Sequence, residues 1–264
     1  MDEQALRNLL SLEAEKSLDE IQIFDEIDST NSEAIRQIQS GNTENRVVTA
    51  CLQTAGRGRR GRQWLSPKNA GIYMSVTRRF SAEANALQAL SLVTALSVLE
   101  ALRELGARDL QLKWPNDVLF RYEKLAGILL ELQQRDAMRF VVFGIGVNID
   151  LPAESKAGID RPVTDLRNIV GELPSLPDLV AELLNRLCAN LRVYEDSGFT
   201  SFEARWNKQD CYRMRDIEIH NGESRITGKS LGVDSGGALL LQTAEGVQTI
   251  NGGEVFPSLR PLAE

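Results

Sequence analysis

Lys113-Trp114-Pro115-Asn116-Asp117, then Lys124-Leu125-Ala126-Gly127-Ile128-Leu129-Leu130-Glu131, then Phe140 to Ile149 around Gly144-Ile145-Gly146-Val147-Asn148, is the stretch that decides the fold. Pro115 fixes one backbone angle and Asn116-Asp117 tolerates turn geometry, so the first segment reads as a tight turn between two strands. By composition alone it could be only a hairpin. Lys124 to Glu131 and Phe140 to Ile149 are rich in Ile, Leu and Val and short enough for strands, and they read as the centre of a sheet.

Upstream, Asn85 to Leu105 carries Leu87, Leu90, Thr94, Val98 and Leu102 at helical spacing, with Gly106 as a left-handed stop. Gly71 to Thr77 and Arg46 to Leu52 read as strands, separated by a glycine and arginine loop from Gln53 to Trp64. Thr30 with Glu33 makes a capping box for a helix whose apolar face is Ala34, Ile35 and Ile38 and whose stop is Gly41. Ile21, Ile23 and Ile27 alternate as in a half-buried strand, and Leu6, Leu9 and Leu10 suggest one short leading helix.

Downstream, Leu151 to Asp165 has prolines, glycine and no periodicity, which predicts a mobile loop, and a helix follows from Leu176 to Tyr194. After Trp206 the pattern becomes short strands: Ile217–His220, Ser224–Val233, Ala238–Gln242 and Val247–Asn251. Asn221-Gly222, Asp234 to Gly237 and Glu245-Gly246 separate them as turns. The expected fold is α+β, with a mixed-sheet domain over 1–210 followed by a small barrel-like all-β domain over 211–264, the change falling within Asn207 to Arg215.

The chain of 264 residues has a formal charge of -7 and a pI near 5.0. That balance argues against general nucleic-acid or anionic-membrane binding, so a local basic cluster has to be read as a site. Cys51, Cys188 and Cys211 are odd in number and lack metal or disulfide spacing, which fits a reducing cytoplasm. Met1 to Lys16 mixes charges with leucines and offers neither a signal peptide nor a spanning helix.

Gly56-Arg57-Gly58-Arg59-Arg60-Gly61-Arg62 satisfies the GxGxxG dinucleotide pattern literally. The context fails: Pro67 and Gly71 interrupt the helix that would have to follow, and Arg79 and Phe80 stand where an acidic ribose ligand belongs. No Gly-Lys-Ser/Thr follows for a P-loop. What remains is a loop whose arginines could wrap a phosphate chain or a polar small molecule, against a solvated turn or an RNA-binding patch. Lys124 stands at the mouth of an apolar strand, either as a phosphate contact or as an edge-strand lysine reaching for solvent. Gly144 and Gly146 weaken a buried strand unless a ligand or backbone must approach it closely or a bulge sits there. His220 has no second histidine or cysteine pattern near it and reads as a surface residue.

Taken in order, Ser29-Thr30-Asn31, Gln53 with the GRGRRGR loop and Trp64, KWPNDV from Lys113, KLAGILLE from Lys124 and GIGVN from Gly144 resemble the biotin protein ligase family. The resemblance is strong from Phe24 to Asn148 and weaker toward the end, where Gly236 to Leu241 and Gly252-Gly253-Glu254-Val255 look like the family's terminal barrel. It implies a catalytic domain related to class II aminoacyl-tRNA synthetases and lipoate ligases, followed by an SH3-like domain. It also implies formation of biotinyl-5'-AMP from biotin and ATP with Mg²⁺, and transfer of biotin to a lysine of a biotin carboxyl carrier protein, such as that of acetyl-CoA carboxylase.

Carried over residue by residue, Ser29, Thr30, Asn31 and Gln53 would bind the biotin head group, and Arg57, Gly58 and Arg59 would close over biotin and the adenylate. Trp64 and Gly127 would line the biotin site, and Lys124 would hold the biotin carboxylate and the α-phosphate. Arg57, Arg59, Arg62, Trp64, Asn116, Lys124 and Asn148 would meet ATP. Lys124, Arg59 and Asp117 form the expected catalytic set, with Asp117 orienting or deprotonating the incoming lysine. No metal ligands are assigned. The family's terminal Gly-Glu-Val-Ser-Leu-Arg is interrupted here by Phe256-Pro257, so no nucleotide contact is transferred to Arg260.

Residues before Phe24 are too few for the winged-helix domain of some members, so DNA binding and repression are not expected, and neither is a membrane; a homodimer is compatible with an exposed strand edge. A lipoate-type ligase shares the adenylation chemistry, but the polar Ser29-Thr30-Asn31 and Gln53 set suits a ureido ring better than a dithiolane. A non-catalytic biotin- or RNA-binding protein is the alternative from another class.

Overall fold

The computed structural model describes residues 1–80, 87–221 and 224–256. Two short helices, α1 (Glu3–Arg7) and α2 (Leu12–Ser17), lead into β1 (Glu20–Phe24), α3 (Thr30–Ser40), β2 (Arg46–Ala50) and β3 (Gly71–Phe80). Then come α4 (Leu87–Glu104), β4 (Leu110–Lys113), β5 (Asp117–Phe120), β6 (Glu123–Arg135) and β7 (Met138–Asn148). Four helices follow: α5 (Ala153–Ala157), α6 (Leu166–Val170), α7 (Leu176–Ser197) and α8 (Thr200–Gln209). The chain finishes in β8 (Asp216–Asn221), β9 (Ser224–Val233), β10 (Leu239–Thr243), β11 (Gly246–Ile250) and β12 (Glu254–Phe256).

The expected α+β architecture is present. β1 to β7 form a mixed sheet in the order β1-β2-β3-β7-β6-β5-β4, parallel between β1 and β2 and antiparallel elsewhere. β8 to β12 form a separate antiparallel sheet in the order β11-β10-β9-β8-β12. The Trp114 indole N–H donates to Gly237 O at 3.3 Å and ties the first sheet's turn to the second sheet.

Side-chain alternation along the central strands separates two faces. Ile72, Met74 and Val76 of β3 and Val141, Phe143, Ile145 and Val147 of β7 enter the main core with α4 and α7. Val48, Phe140 and Val142 turn to the other face and pack against Ala34 and Ile38 of α3. Along β3 and β7, Tyr73, Ser75, Gly144 and Gly146 have the parity of that second face, which is where the site forms.

Several expectations need correction. The helix cap is Ser29 rather than Thr30: Ser29 Oγ accepts from Ser32 N–H, while Thr30 N–H is already taken by Gln53 Oε1 at 2.9 Å. The leading helix is two short ones, because Asp2 and Ser11 each cap their own start. β1 stops at Phe24, and Ile27 forms only an isolated bridge to Gln53. Within the expected loop from Leu151 to Asp165, α5 forms, and Val163 pairs with Lys124 as an isolated bridge. α6, α8 and β12 were not foreseen as elements. Gly41 and Gly106 end their helices at φ 107 and φ 98, as their positions demand. The expected start of α4 at Asn85, the turn at Gly222, Pro257 and Arg260 lie outside the described residues.

Candidate active site

Two glycines face each other across the sheet. Gly127 of β6 pairs in register with Gly146 of β7, and Gly144 lies one pleat farther along β7. A Cβ on Gly146 would fall 2.5 Å from Trp64 Cε2, one on Gly127 2.8 Å from Trp64 Cζ3, and one on Gly144 2.4 Å from Asn31 Oδ1. Each glycine in a strand weakens it by about 0.5–1 kcal/mol relative to alanine, so their presence together marks a demand for space. β7 holds regular register on both sides, so close approach, not a bulge, explains them. The groups that approach are the Trp64 indole and the Asn31 amide.

Over this floor lies a small cavity of about 60 Å³. Ser29, Thr30 and Asn31 enter it from the first turn of α3, Gln53 from the segment after β2, and Arg57, Gly58, Arg59 and Trp64 from the arginine loop; Asn116, Lys124 and Gly127 complete the expected set. Its polar groups are locked together. Thr30 Oγ1 lies 3.2 Å from Gln53 Oε1, Gln53 Nε2 donates to Ser66 Oγ at 2.8 Å, and Ser75 Oγ sits between Thr30 Oγ1 and Asn31 Oδ1. Ser29, Thr30, Asn31, Ser66 and Ser75 are all buried, so a ligand here meets an amide and hydroxyl surface held rigid in advance.

A larger cavity of about 380 Å³ shares Gly58, Arg59, Trp64, Asn116 and Lys124 with the small one and adds Arg62, Asp117 and Asn148. Its lining includes the cations Arg59, Arg60, Arg62, Lys113, Lys124 and Arg161 against the carboxylates of Asp117, Asp160 and Glu254. On a chain of net charge -7 such a local excess of positive charge is suited to an anion. Burial draws both Arg59 and Lys113 below their ordinary pKa values, the sign of cations held in a poorly solvated place that an anionic ligand would relieve. Arg57 enters only the small cavity's lining.

The cations are already held in position. Lys124 Nζ lies 2.6 Å from Asp117 Oδ1 and 5.3 Å from the centre of the Trp64 ring. Because β6 lies between β7 and β5, Lys124 is not the edge-strand lysine of the bland alternative; its side chain is 12% exposed. Arg59 Nη1 donates to Asn116 Oδ1 at 3.1 Å, and Asn116 Nδ2 donates to Ile128 O at 2.8 Å. Arg60 and Arg62 both pair with Glu254 on β12, and the Arg62 contact holds the Glu254 carboxyl below its usual pKa. Asn148 Nδ2 donates to Lys124 O and Thr164 O at 3.3 and 3.0 Å, stitching the segment after α5 to the start of β6.

All the residues singled out from the sequence therefore line one or both cavities. Ser66, Ser75, Glu131, Lys113, Arg161 and Glu254 were not singled out for the site. Glu131 and Glu254 stood inside quoted motifs, and Ser75 was a polar residue in a buried strand; Arg161 had no signal, because the loop that carries it has no periodicity. His220 stacks half-buried on Phe256 beside Glu218 and lines neither cavity, although it pairs across the strands with Glu254, which lines the larger one; it does not lie on the open surface. Among the described residues no three His, Cys, Asp or Glu side chains converge as a metal cage, and no helix is long and apolar enough to cross a membrane.

Residues 23–148 match the model of the biotin/lipoate A/B protein ligase family, and residues 218–256 match that of the biotin protein ligase C terminal domain. The bifunctional ligase/repressor BirA of Escherichia coli is 36% identical over 234 residues, 87% of this chain and 71% of its own. The biotin--[acetyl-CoA-carboxylase] ligase of Paracoccus denitrificans is 35% identical over 87% of this chain and 97% of its own length. The biotin protein ligase from Aquifex aeolicus in complex with biotin and ATP superposes with a TM-score of 0.78 at 32% identity, covering 93% of this chain and all of that one.

Proposed function

The chain belongs to the biotin protein ligase family, and from that premise we propose how its two cavities divide the reaction. It is a biotin protein ligase, and in this reading it forms biotinyl-5'-AMP from biotin and ATP and passes biotin to a lysine of a biotin carboxyl carrier protein. The observation that carries the division is the common wall. A small cavity of amides and hydroxyls and a larger cationic one meet at Trp64 and Lys124, so a carboxylate in the first and a phosphate in the second would lie against the same lysine.

In this reading Ser29, Thr30, Asn31 and Gln53 surround the ureido ring, whose donors and acceptors such side chains can satisfy. Gly127 and Trp64 hold the apolar part, with Arg57, Gly58 and Arg59 above. ATP occupies the larger cavity against Arg59, Arg62, Asn116 and Asn148. Mg²⁺ enters as part of the MgATP substrate, since the ion is ordinarily held largely by phosphates and water. The biotin carboxylate attacks the α-phosphorus, the bond to the β-phosphate oxygen breaks, and pyrophosphate leaves. Lys124 and Arg59 stabilise the charge that builds there, in a site whose donors need not reorganise.

In the second step the carrier lysine, as a neutral amine, attacks the biotinyl carbonyl and AMP departs. In this reading Asp117, paired with Lys124 at 2.6 Å, orients that amine or takes its proton once Lys124 has turned to the substrate. Asp117→Asn is expected to slow transfer from preformed biotinyl-AMP at least tenfold more than it slows adenylation; single-turnover assays giving the opposite split would remove the assignment. The same reading takes the boundary between the catalytic unit and the SH3-like unit at residues 210 and 211, which the end of α8 at Gln209 supports. Three free cysteines, two of them buried, suit a cytoplasmic enzyme.

The test is ATP–pyrophosphate exchange with biotin, with lipoate and with no acid. Exchange with biotin alone is expected. Exchange with lipoate at the same rate would make the chain a lipoate-type ligase, and none with either would leave a binding protein.

A further inference from the structure

Glu131 lies outside both cavities yet touches a group from each layer of the small one. Asn31 Nδ2, on the pocket floor, donates to Glu131 Oε2 at 2.8 Å. Arg57 Nη2, from the loop above, reaches the same oxygen. Asn31 is buried and fixed at its other end by Ser75 and by the space above Gly144. Arg57 stands at the base of the loop: it bridges to Gln63, and Gly58 N–H donates to Arg62 O at 2.7 Å, so the segment between them moves as one piece. Fixing Arg57 therefore fixes the approach of Arg59 and Trp64 to the pocket.

We propose that Glu131 is a positioning residue that fastens the arginine loop to the floor of the biotin pocket, and that this fastening sets how long the adenylate is retained. The inference rests on the small cavity being the biotin site. Its physical basis is that a charge-assisted bond to an arginine is stronger than a neutral one, and that Glu131, 23% exposed, is only partly screened by water. An adenylate is a reactive anhydride, and its fate depends on whether it leaves before the carrier arrives.

Glu131→Gln separates the two contacts, since the amide oxygen still accepts from Asn31 while the charge facing Arg57 is gone. The measurement is the rate at which labelled biotinyl-AMP leaves the enzyme in a chase, for wild type, Glu131→Gln, Arg57→Gln and the double variant, with the biotin dissociation constant of each. Glu131→Gln is expected to release the adenylate about tenfold faster while binding biotin within about twofold of wild type, and the double variant to be no faster than Arg57→Gln alone. Glu131→Ala, which loses both contacts, is expected to weaken biotin binding as well. Unchanged release in Glu131→Gln, or effects that multiply in the double variant, would overturn the proposal. Wild-type enzyme that forms no biotinyl-AMP would instead remove the functional reading beneath it.

Discussion

Lys124→Ala is expected to lower biotin-dependent pyrophosphate exchange by about 10²–10³-fold, the usual cost of removing one preorganised group that meets transition-state charge. Lys124 is the cation at the wall shared by both cavities, and its side chain is 12% exposed. Removal also leaves Asp117 without its ion-pair partner in a site where its side chain is 14% exposed, so a loss of stability should accompany the loss of rate. The two effects can be separated. Adding Asp117→Asn to Lys124→Ala should recover melting temperature and leave exchange where it was. If the double variant regained exchange, Lys124 would be a structural partner of Asp117 and not the group that meets the phosphate.

The second large effect is steric. Gly146→Val places a branched side chain where even a Cβ lies 2.5 Å from the Trp64 ring. The strand cannot yield, because β7 is paired over its full length on both sides. Trp64 must therefore leave the floor and take the loop's geometry with it. Biotin binding is expected to weaken by at least 100-fold while the melting temperature falls little or rises, since valine suits a strand better than glycine does. Calorimetric titration with biotin checks this; affinity within threefold of wild type would show that Trp64 does not need that seat.

The sheet was legible because its central strands, from Leu110 onward, carry dense runs such as Gly144 to Ile149 between clear turn residues. Short elements were harder to see. α5 and α6 have five residues each, too few for a helical period to repeat, and β12 has three. The helix cap was displaced by one residue because the competing acceptor for Thr30 N–H, Gln53, comes from a distant part of the chain. The same limit applied within the site. A place in a dense motif was not enough: Glu131 ends the Lys124 to Glu131 run, yet its role, like that of Ser75, depends on partners 74 and 44 residues away in sequence. The glycines were the instructive case: the strand pattern left open a close approach by a ligand or backbone and a bulge, and the structure shows instead two side chains of the chain itself, the Trp64 indole and the Asn31 amide.

The seat beneath Trp64 also gives the protein an optical probe of its own. Of the three tryptophans, Trp114 and Trp206 are 2% and 1% exposed and belong to the core. Trp64 alone borders both cavities, with an ammonium 5.3 Å from its ring. Trp114 also lines the larger cavity, whereas the small one is bordered by Trp64 and neither other tryptophan. Ligands that displace that ammonium, or dry the space around the indole, change the emission of Trp64, so filling of the small cavity can be followed in time without any label.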